Sequence, residues 1–378
     1  MNDKKFNKIF YIILILIGVA IKFSLLNIKT GDYVGFLEPW LKFIETNGYE
    51  KALRHNFYDY SPAYIYFLVL IAKLGINPLY SVKILSIIFE YILAFFVGKT
   101  AQLKTKNNAV VWISMAVIPL LPSILLNSSY LSQCDSIYST FIMVAIYFSL
   151  KEKSFLSVLC LGLSFAFKMQ GVFILPFFFI MMLRGKIPFY YFFIIPTVYL
   201  ISLLPTWYYG RPLSDSLLTY LAQTDRWGFL TMNFPNFYIF IDNSYYEIAK
   251  AIGVGITFVF TLLFGLWFAQ KKYFFTFDDW IRLAFLSALI IPFLLPGMHE
   301  RYLYLADVLG ILYFLVFRKN IVLPIGVLAI SFYSYTRMSR FNEILPMEPA
   351  FFIYLLIIIF VSIDFIKSFK ASNHEYSQ

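Results

Sequence analysis

Pro62-Ala63-Tyr64-Ile65-Tyr66-Phe67-Leu68-Val69-Leu70-Ile71-Ala72-Lys73-Leu74-Gly75 decides how this chain is threaded. Apart from Lys73 the run carries no charge. It is only about 14 residues long, whereas a helix needs ~20 to cross the hydrocarbon core. A run that short reads as an interfacial or re-entrant helix. Leaving it out of the spans fixes the side of every later turn, because one crossing more or fewer exchanges the two faces.

The apolar runs read as spans lie on both sides of it, at 9–28, 79–98, 109–126, 135–150, 154–167, 170–183, 187–204, 248–269, 281–296, 302–317, 321–336 and 350–366, several of them shorter than the ideal length. Composition requires such a reading. Hydrophobic residues make up 60% of the 378 and charged residues 14%, against about 25% charged in a soluble domain. Mean hydropathy is +0.73. Too few charges remain to cover a water-facing surface, and disorder is excluded by the same figures. The expected fold is an all-α integral membrane protein. It is a multi-pass helical bundle of about twelve transmembrane helices, one domain over 1–378, with outer loops 29–78 and 205–247.

The excess of 31 Lys+Arg over 21 Asp+Glu gives a net charge of +10. Its distribution points to membrane topology, and no nucleic-acid partner is expected. With Lys4, Lys5 and Lys8 in the cytoplasm and 62–75 excluded, the basic turns fall on one side. They are Lys99, Lys104 and Lys106; Lys151 and Lys153; Arg184 and Lys186; Lys271 and Lys272; Arg318 and Lys319; and Lys367 and Lys370. That is the positive-inside pattern, with both termini cytoplasmic in a cell membrane. No small-residue cleavage site follows the basic start, so the first apolar run is expected to remain as a helix. Cys134 and Cys160 offer neither a disulfide framework nor metal-ligand spacing.

The opposite face comprises 29–78, 127–134, 168–170, 205–247, 297–301 and 337–349. At it or its edge lie Asp32, Glu38, Glu45, Glu50, Asp59, Asp135, Asp215, Asp225, Asp242, Glu247, Glu300, Glu343 and Glu348. Segment 33–47 repeats Phe36, Leu37, Trp40, Leu41, Phe43 and Ile44 at helical spacing, which suits an amphipathic helix on the membrane. Segment 205–247 is rich in Trp, Tyr, Phe and Asn, more than a connector needs. Ionisable residues near mid-span reduce to Glu90 and Lys22. A transporter should show paired polar breaks near the midplane, and no such repeat is found. Chemistry is therefore expected at the outer membrane boundary.

Four short segments carry it. Asp32, in Gly31-Asp32-Tyr33, sits at the membrane lip, where partial desolvation suits a general base; a solvated loop acid or helix cap is the alternative. In Ser132-Gln133-Cys134-Asp135-Ser136, Asp135 either caps the next helix or joins Gln133 in binding sugar hydroxyls or orienting a cation. Lys168 and Gln170 occupy a tight turn. There the lysine either snorkels to water or holds a phosphate. His299-Glu300-Arg301-Tyr302 break two apolar runs. Arg301 suits bidentate phosphate binding and His299 with Glu300 suits proton transfer, the alternative being an interfacial anchor. Asn233 and Asn236 form a fifth candidate, as sugar-binding amides or as turn formers.

Taken in order, these segments resemble the multi-pass glycosyltransferases of the GT-C superfold, and among them bacterial proteins similar to GPI-anchor mannosyltransferases. The matching residues are Gly31-Asp32-Tyr33 with Phe36-Leu37 and Pro39-Trp40; Asp59-Tyr60-Ser61-Pro62; Ser132 to Tyr138; Phe167-Lys168-Met169-Gln170; and Pro296 to Tyr302. The resemblance implies a hexose donor carried on a polyprenyl phosphate, a glycan or lipid acceptor, and inverting transfer at the outer face. Asp32 would be the catalytic base. Gln133, Asp135 and the His-Glu-Arg element would be site walls. Wider members of the superfold often pair two acids in the first loop, a role for which Glu38 and Asp59 are the candidates. Many relatives carry a Trp shortly before the Gln, where this chain has Ser129-Tyr130-Leu131. The sugar, mannose-like or other, is left open. No metal site and no cofactor is expected beyond the donor, with a divalent metal not excluded. The rival readings are a lipid-linked sugar flippase and a surface polysaccharide polymerase.

Overall fold

The computed structural model describes residues 2–270, 274–338 and 346–377, and the side chains of 8–223, 226–270, 274–338 and 346–370. Lys271, Lys272 and Glu343, used above to read topology, lie outside the described residues, as do the side chains of Lys4, Lys5 and Asp225. The chain is a helical membrane-type bundle. Its first helices are α1 (Asn2–Ser24), α2 (Glu38–Arg54), α3 (Pro62–Leu74), α4 (Pro78–Thr105), α5 (Ala109–Val117), α6 (Pro122–Leu125), α7 (Asp135–Leu150), α8 (Ser154–Phe167) and α9 (Leu175–Leu183). They continue with α10 (Ile194–Tyr208), α11 (Leu213–Leu217), α12 (Thr219–Asp225), α13 (Tyr246–Ala269), α14 (Phe277–Leu294), α15 (Tyr304–Phe317), α16 (Val322–Met338) and α17 (Glu348–Ser377).

Local chemistry sets the boundaries. Proline opens α3, α4 and α6, where its missing N–H costs nothing. The Asn77 side chain accepts from the Tyr80 N–H at the start of α4. Gly75, in the left-handed region at φ 63, ends α3. Thr276 and Asp279 form a reciprocal capping box on α14. Gly98 lets α4 meet α5 closely, since a Cβ there would lie 2.5 Å from the Val111 Cα.

Among the described residues, four helices are long and apolar enough to cross a membrane. They become five if the bent pair Ala109–Leu120 and Pro122–Tyr130, broken by 57°, is one span. The expectation of about twelve full spans is therefore met only in part. Asp135–Leu150, Ser154–Phe167, Met169–Leu183 and Tyr304–Phe317 are shorter. Sixteen residues of helix (α7) rise only ~24 Å, short of the ~30 Å hydrocarbon thickness. Helices α7 and α15 are mostly buried, so they are surrounded by protein. The run read as 170–183 is itself composite, a 3₁₀ turn at Met169–Ile174 leading into α9.

The turns sort into two sets by their contacts. In the first, Lys8 lies over the Trp112 ring, Lys104 pairs with Asp278 at 2.8 Å, and Lys186 pairs with Glu152 at 3.4 Å. Arg184 there donates to the Phe268 and Gln270 carbonyls. The second set, near residues 32, 60, 133, 168, 227 and 300, converges on one cavity. Both ends of α3 belong to the second set. Before it, Ser61 Oγ donates to the Ala166 and Phe167 carbonyls. After it, Tyr80 bonds Asn27, and Lys83 Nζ donates to the Leu25 and Ile28 carbonyls at 2.8 and 2.7 Å. At 13 residues α3 is too short for a full crossing.

Two cores result. The larger joins α4–α9 with α14–α17. The smaller lies under the first long loop, where Tyr33, Leu37, Trp40, Leu41 and Ile44 pack on Tyr64, Leu68 and Ile137. Phe36 and Phe43, expected on the same face as these, are only half-buried. The two mid-span ionisable residues meet: Lys22 Nζ is 2.7 Å from Glu90 Oε2, with both side chains fully buried. Mutual pairing is what makes charges tolerable in hydrocarbon.

Candidate functional site

Asp32 follows the last turn of α1 and precedes a π-helical turn, Tyr33–Leu37. Lys83 fixes its approach by binding the Leu25 and Ile28 carbonyls. Asp32 meets Gln133, which is presented by a tight turn before α7. Ser132 there adopts φ 60, a conformation costing roughly 1–2 kcal/mol for an L-residue. Such strain persists where neighbours over-determine it. The Gln133 N–H donates to the Asn127 carbonyl at 2.8 Å, and Ser86 Oγ donates to the Gln133 carbonyl at 2.9 Å. The Gln133 amide then donates to Asp32 Oδ2 at 2.5 Å and accepts from the Tyr60 hydroxyl at 3.0 Å. Gln133 thus orients the carboxylate, while part of it still faces the cavity.

Among the cations facing the same space are Lys168 and Arg301. Lys168, in extended backbone just after α8, sets Nζ 2.5 Å from Asp135 Oδ1 and 5.3 Å from the Tyr60 ring centroid. Asp135 is fully buried and also accepts from Asn127 Nδ2 at 2.7 Å, with Arg301 Nε at 3.8 Å. It stands behind the cations and is absent from the cavity lining. Of the roles offered by its sequence position, cation orientation is the one the geometry meets. Arg301 donates to Glu300 Oε1 at 2.7 Å, and His299 Nδ1 lies 3.7 Å from Glu300 Oε2.

The long loop 205–247 closes the site from another side. Its short strand β1 (Thr231–Met232) pairs in parallel with β2 (Met298–His299), so Met232 sits opposite His299. Gly297, at φ 72, donates its N–H to the Leu230 carbonyl at 2.7 Å. This pairing carries Gln223, Arg226, Trp227 and Met232 into the wall. The Trp227 ring packs edge-on against both Phe36 and His299.

The resulting cavity of about 250 Å³ is lined by Asp32, Asp59, Tyr60, Gln133, Lys168, Gln170, His299, Glu300, Arg301 and Tyr302, with Phe36 and Trp40. A more apolar chamber of about 140 Å³ shares the wall of Gln170, Trp227, Met232, His299 and Tyr302. It extends between Phe173, Phe229, Tyr246, Lys250 and Val254.

Besides Asp135, three expected residues sit outside the lining. Glu38 is absent from the lining and pairs with Lys29 at 3.0 Å and Lys42 at 3.5 Å. Asn236 uses its amide to bond the Leu295 carbonyl at 2.8 Å and to accept from the Tyr238 N–H. Asn233, at φ 54, shapes the turn after β1. Asp59 does line the cavity, paired with Arg226 at 2.6 Å. Sequence reading missed Gln223, Arg226 and Trp227 as wall residues, and Lys83 as the pin on α1. The available signals were a cation placed against the positive-inside trend at Arg226 and a lysine inside an apolar run at Lys83.

Electrostatics divide the roles. Burial raises the Asp32 pKa above its ordinary value, although Arg301 and the Gln133 hydrogen bond pull the other way. Burial would likewise raise Glu300, but Arg301 and His299 outweigh it and hold the group at about 2. Burial, helped by Arg301, lowers His299 and favours the neutral imidazole. Burial works against the Lys168 charge, yet Asp135 overcomes it and keeps the ammonium protonated. The site therefore combines a carboxylate suited to taking a proton with two fixed positive charges. Among the described residues, no three His, Cys, Asp or Glu side chains are grouped to hold a metal ion. No family model and no curated protein matches the chain.

Proposed function

We propose that the chain is an inverting membrane glycosyltransferase of GT-C type, with about twelve crossings and both termini cytoplasmic. Its site would face outward and use a polyprenyl-phosphate hexose as donor. One observation carries the reading: a raised-pKa carboxylate, Asp32, shares a cavity with Arg301 and Lys168. Glycosyl transfer from a lipid phosphate needs a base for the acceptor hydroxyl and positive charge for the departing phosphate. The acceptor hydroxyl gives its proton to Asp32. Its oxygen attacks the anomeric carbon from the face opposite the phosphate. The anomeric carbon–oxygen bond breaks, and the electron pair leaves with the polyprenyl phosphate. Arg301 and Lys168 stabilise that developing charge, while Trp227, Tyr302 and Trp40 supply flat walls for sugar rings.

A flippase would need no base. Asp32→Asn separates the two readings: transfer should fall by ~10²–10⁴ with the fold retained. Labelled donor and mass spectrometry of cell-surface glycans and lipid-linked sugars provide the readout. Full activity in that variant would remove the base assignment, and an unchanged glycan profile on deleting the protein would remove the enzyme reading.

A further inference from the structure

Beside the Asp32 cavity lies a further recess of about 320 Å³, lined by Gly35, Phe36, Trp40, Asn56, Asp59 and Arg226 among others. Four of these, Phe36, Trp40, Asp59 and Arg226, also line the Asp32 cavity, so the two spaces share a wall. The Asp59–Arg226 ion pair spans that wall at 2.6 Å. Arg226 is half exposed there, so water screens the pair and hydroxyl groups can replace its bonds at small cost.

The other wall of the recess is held from beneath. Arg211 is buried and donates to Asn56 Oδ1 at 3.0 Å and to the Tyr58 hydroxyl. With its oxygen engaged, Asn56 presents the NH₂ end of its amide as a donor. Asp59 supplies acceptor capacity beyond its contact with Arg226, and Arg226 supplies further donors. Four aromatic residues, Phe36, Trp40, Phe57 and Tyr58, share the lining, with Phe36 and Trp40 packed edge-to-face at 6.3 Å. Flat apolar rings beside mixed donors and acceptors match a pyranose, with its apolar faces and hydroxyl rim. They do not match an acyl or prenyl chain, which needs a continuous apolar wall. The more apolar chamber between Phe173, Phe229 and Val254, which meets the Asp32 cavity at other residues, comes nearer to that requirement.

We infer that this recess receives the acceptor, and that the acceptor is a water-soluble glycan and not a lipid. The inference rests on the glycosyltransferase reading and adds the acceptor class to it. A glycan hydroxyl entering past Asp59 and Arg226 reaches Asp32, gives up its proton there, and forms the new bond to the anomeric carbon. The polyprenyl phosphate leaves on the other side.

Gly35 provides the test. Gly35 lines the recess and a Cβ there meets nothing within 4 Å, so the fold accommodates a larger side chain at the edge of the recess. The protein, in nanodiscs, is given undecaprenyl phosphates of radiolabelled glucose, mannose and galactose. Glycan and lipid fractions from membranes of the source cell serve as acceptors. Label should move from the organic phase to the glycan fraction. Gly35→Leu should reduce that transfer about tenfold or more, and Gly35→Ala far less, in line with the steric selectivity of small pockets. The split should appear in the KM for glycan and not in the KM for donor. Label arriving on a new lipid overturns the inference and leaves the glycosyltransferase reading standing. Glycan transfer by Gly35→Leu equal to wild type overturns the assignment of the recess. Label that stays on every donor with every fraction overturns both readings.

Discussion

The Gln133 side-chain amide donates to Asp32 Oδ2 at 2.5 Å across 101 residues of sequence. Its own oxygen accepts from Tyr60. The carboxylate is thus held in one orientation by a group fixed to the start of α7, while the backbone that carries it is pinned by Lys83.

Gln133→Leu should therefore disturb orientation more than binding. The expected result is a fall in kcat of about 10–100-fold with donor KM little changed, a fraction of the full general-base contribution. Steady-state transfer assays check this. A variant with wild-type kcat would show that Asp32 needs no such support.

The pH dependence of transfer should show an acid limb above the ordinary aspartate value of 3.8, because burial raises Asp32 and only its ionised form accepts a proton. Arg301 opposes that rise, so Arg301→Met should move the limb to still higher pH while lowering the maximal rate. The same shift bears on stability. A folded pKa above the unfolded one stabilises fully below the unfolded value, and the contribution is lost as pH rises through the folded value. Asp32→Asn should flatten that part of a thermal-stability profile against pH.

Lys168→Met removes one phosphate-facing charge and leaves the buried Asp135 with the Asn127 amide at 2.7 Å and Arg301 Nε at 3.8 Å. Transfer should fall by ~10²–10³, and the melting midpoint should also drop, because a buried ion pair loses one partner. A large loss of midpoint with normal kcat in the surviving protein would assign Lys168 to the fold alone.

Lys22 and Glu90 should behave as one unit. Glu90→Leu leaves a buried ammonium without its carboxylate and should cost about 3–5 kcal/mol. The double variant Lys22→Met/Glu90→Leu should recover most of that, because matched apolar side chains replace a buried ion pair at little cost. Unfolding of detergent-solubilised protein would measure the cycle. Additive losses would contradict the pairing.

Much of this was legible in the chain itself. The apolar runs predict helices, and the short run 62–75 forms a helix of 13 residues, α3. Turns rich in Lys and Arg meet one another at one end of the bundle. Asp32, Gln133, Lys168 and the His299–Tyr302 run, distant in sequence, line one cavity. Less legible were the roles of hydrogen-bonding residues. Asn236 and Asp135 are polar residues on the same face as the site, but their partners are a backbone carbonyl and a lysine. A polar side chain in an apolar chain signals that some partner exists, not which one. The enclosure of the short α7 and α15 by other helices was likewise not legible, because an apolar helix enclosed by protein has the same composition as one enclosed by lipid.

Sequence alone determined the solvent in which the chain folds, the helices, and which few charges required explanation, because these follow from local hydrophobicity and charge. Only the tertiary structure decided which charges meet. It put Lys22 against Glu90, Lys168 against Asp135 and Gln133 against Asp32, and it brought Arg226 and Trp227 to the wall through the pairing of Met232 with His299. The reason is physical. Burying an ion or an amide is favourable only when a partner stands within about 3 Å, and such distances are set by how helices pack, which no single segment encodes.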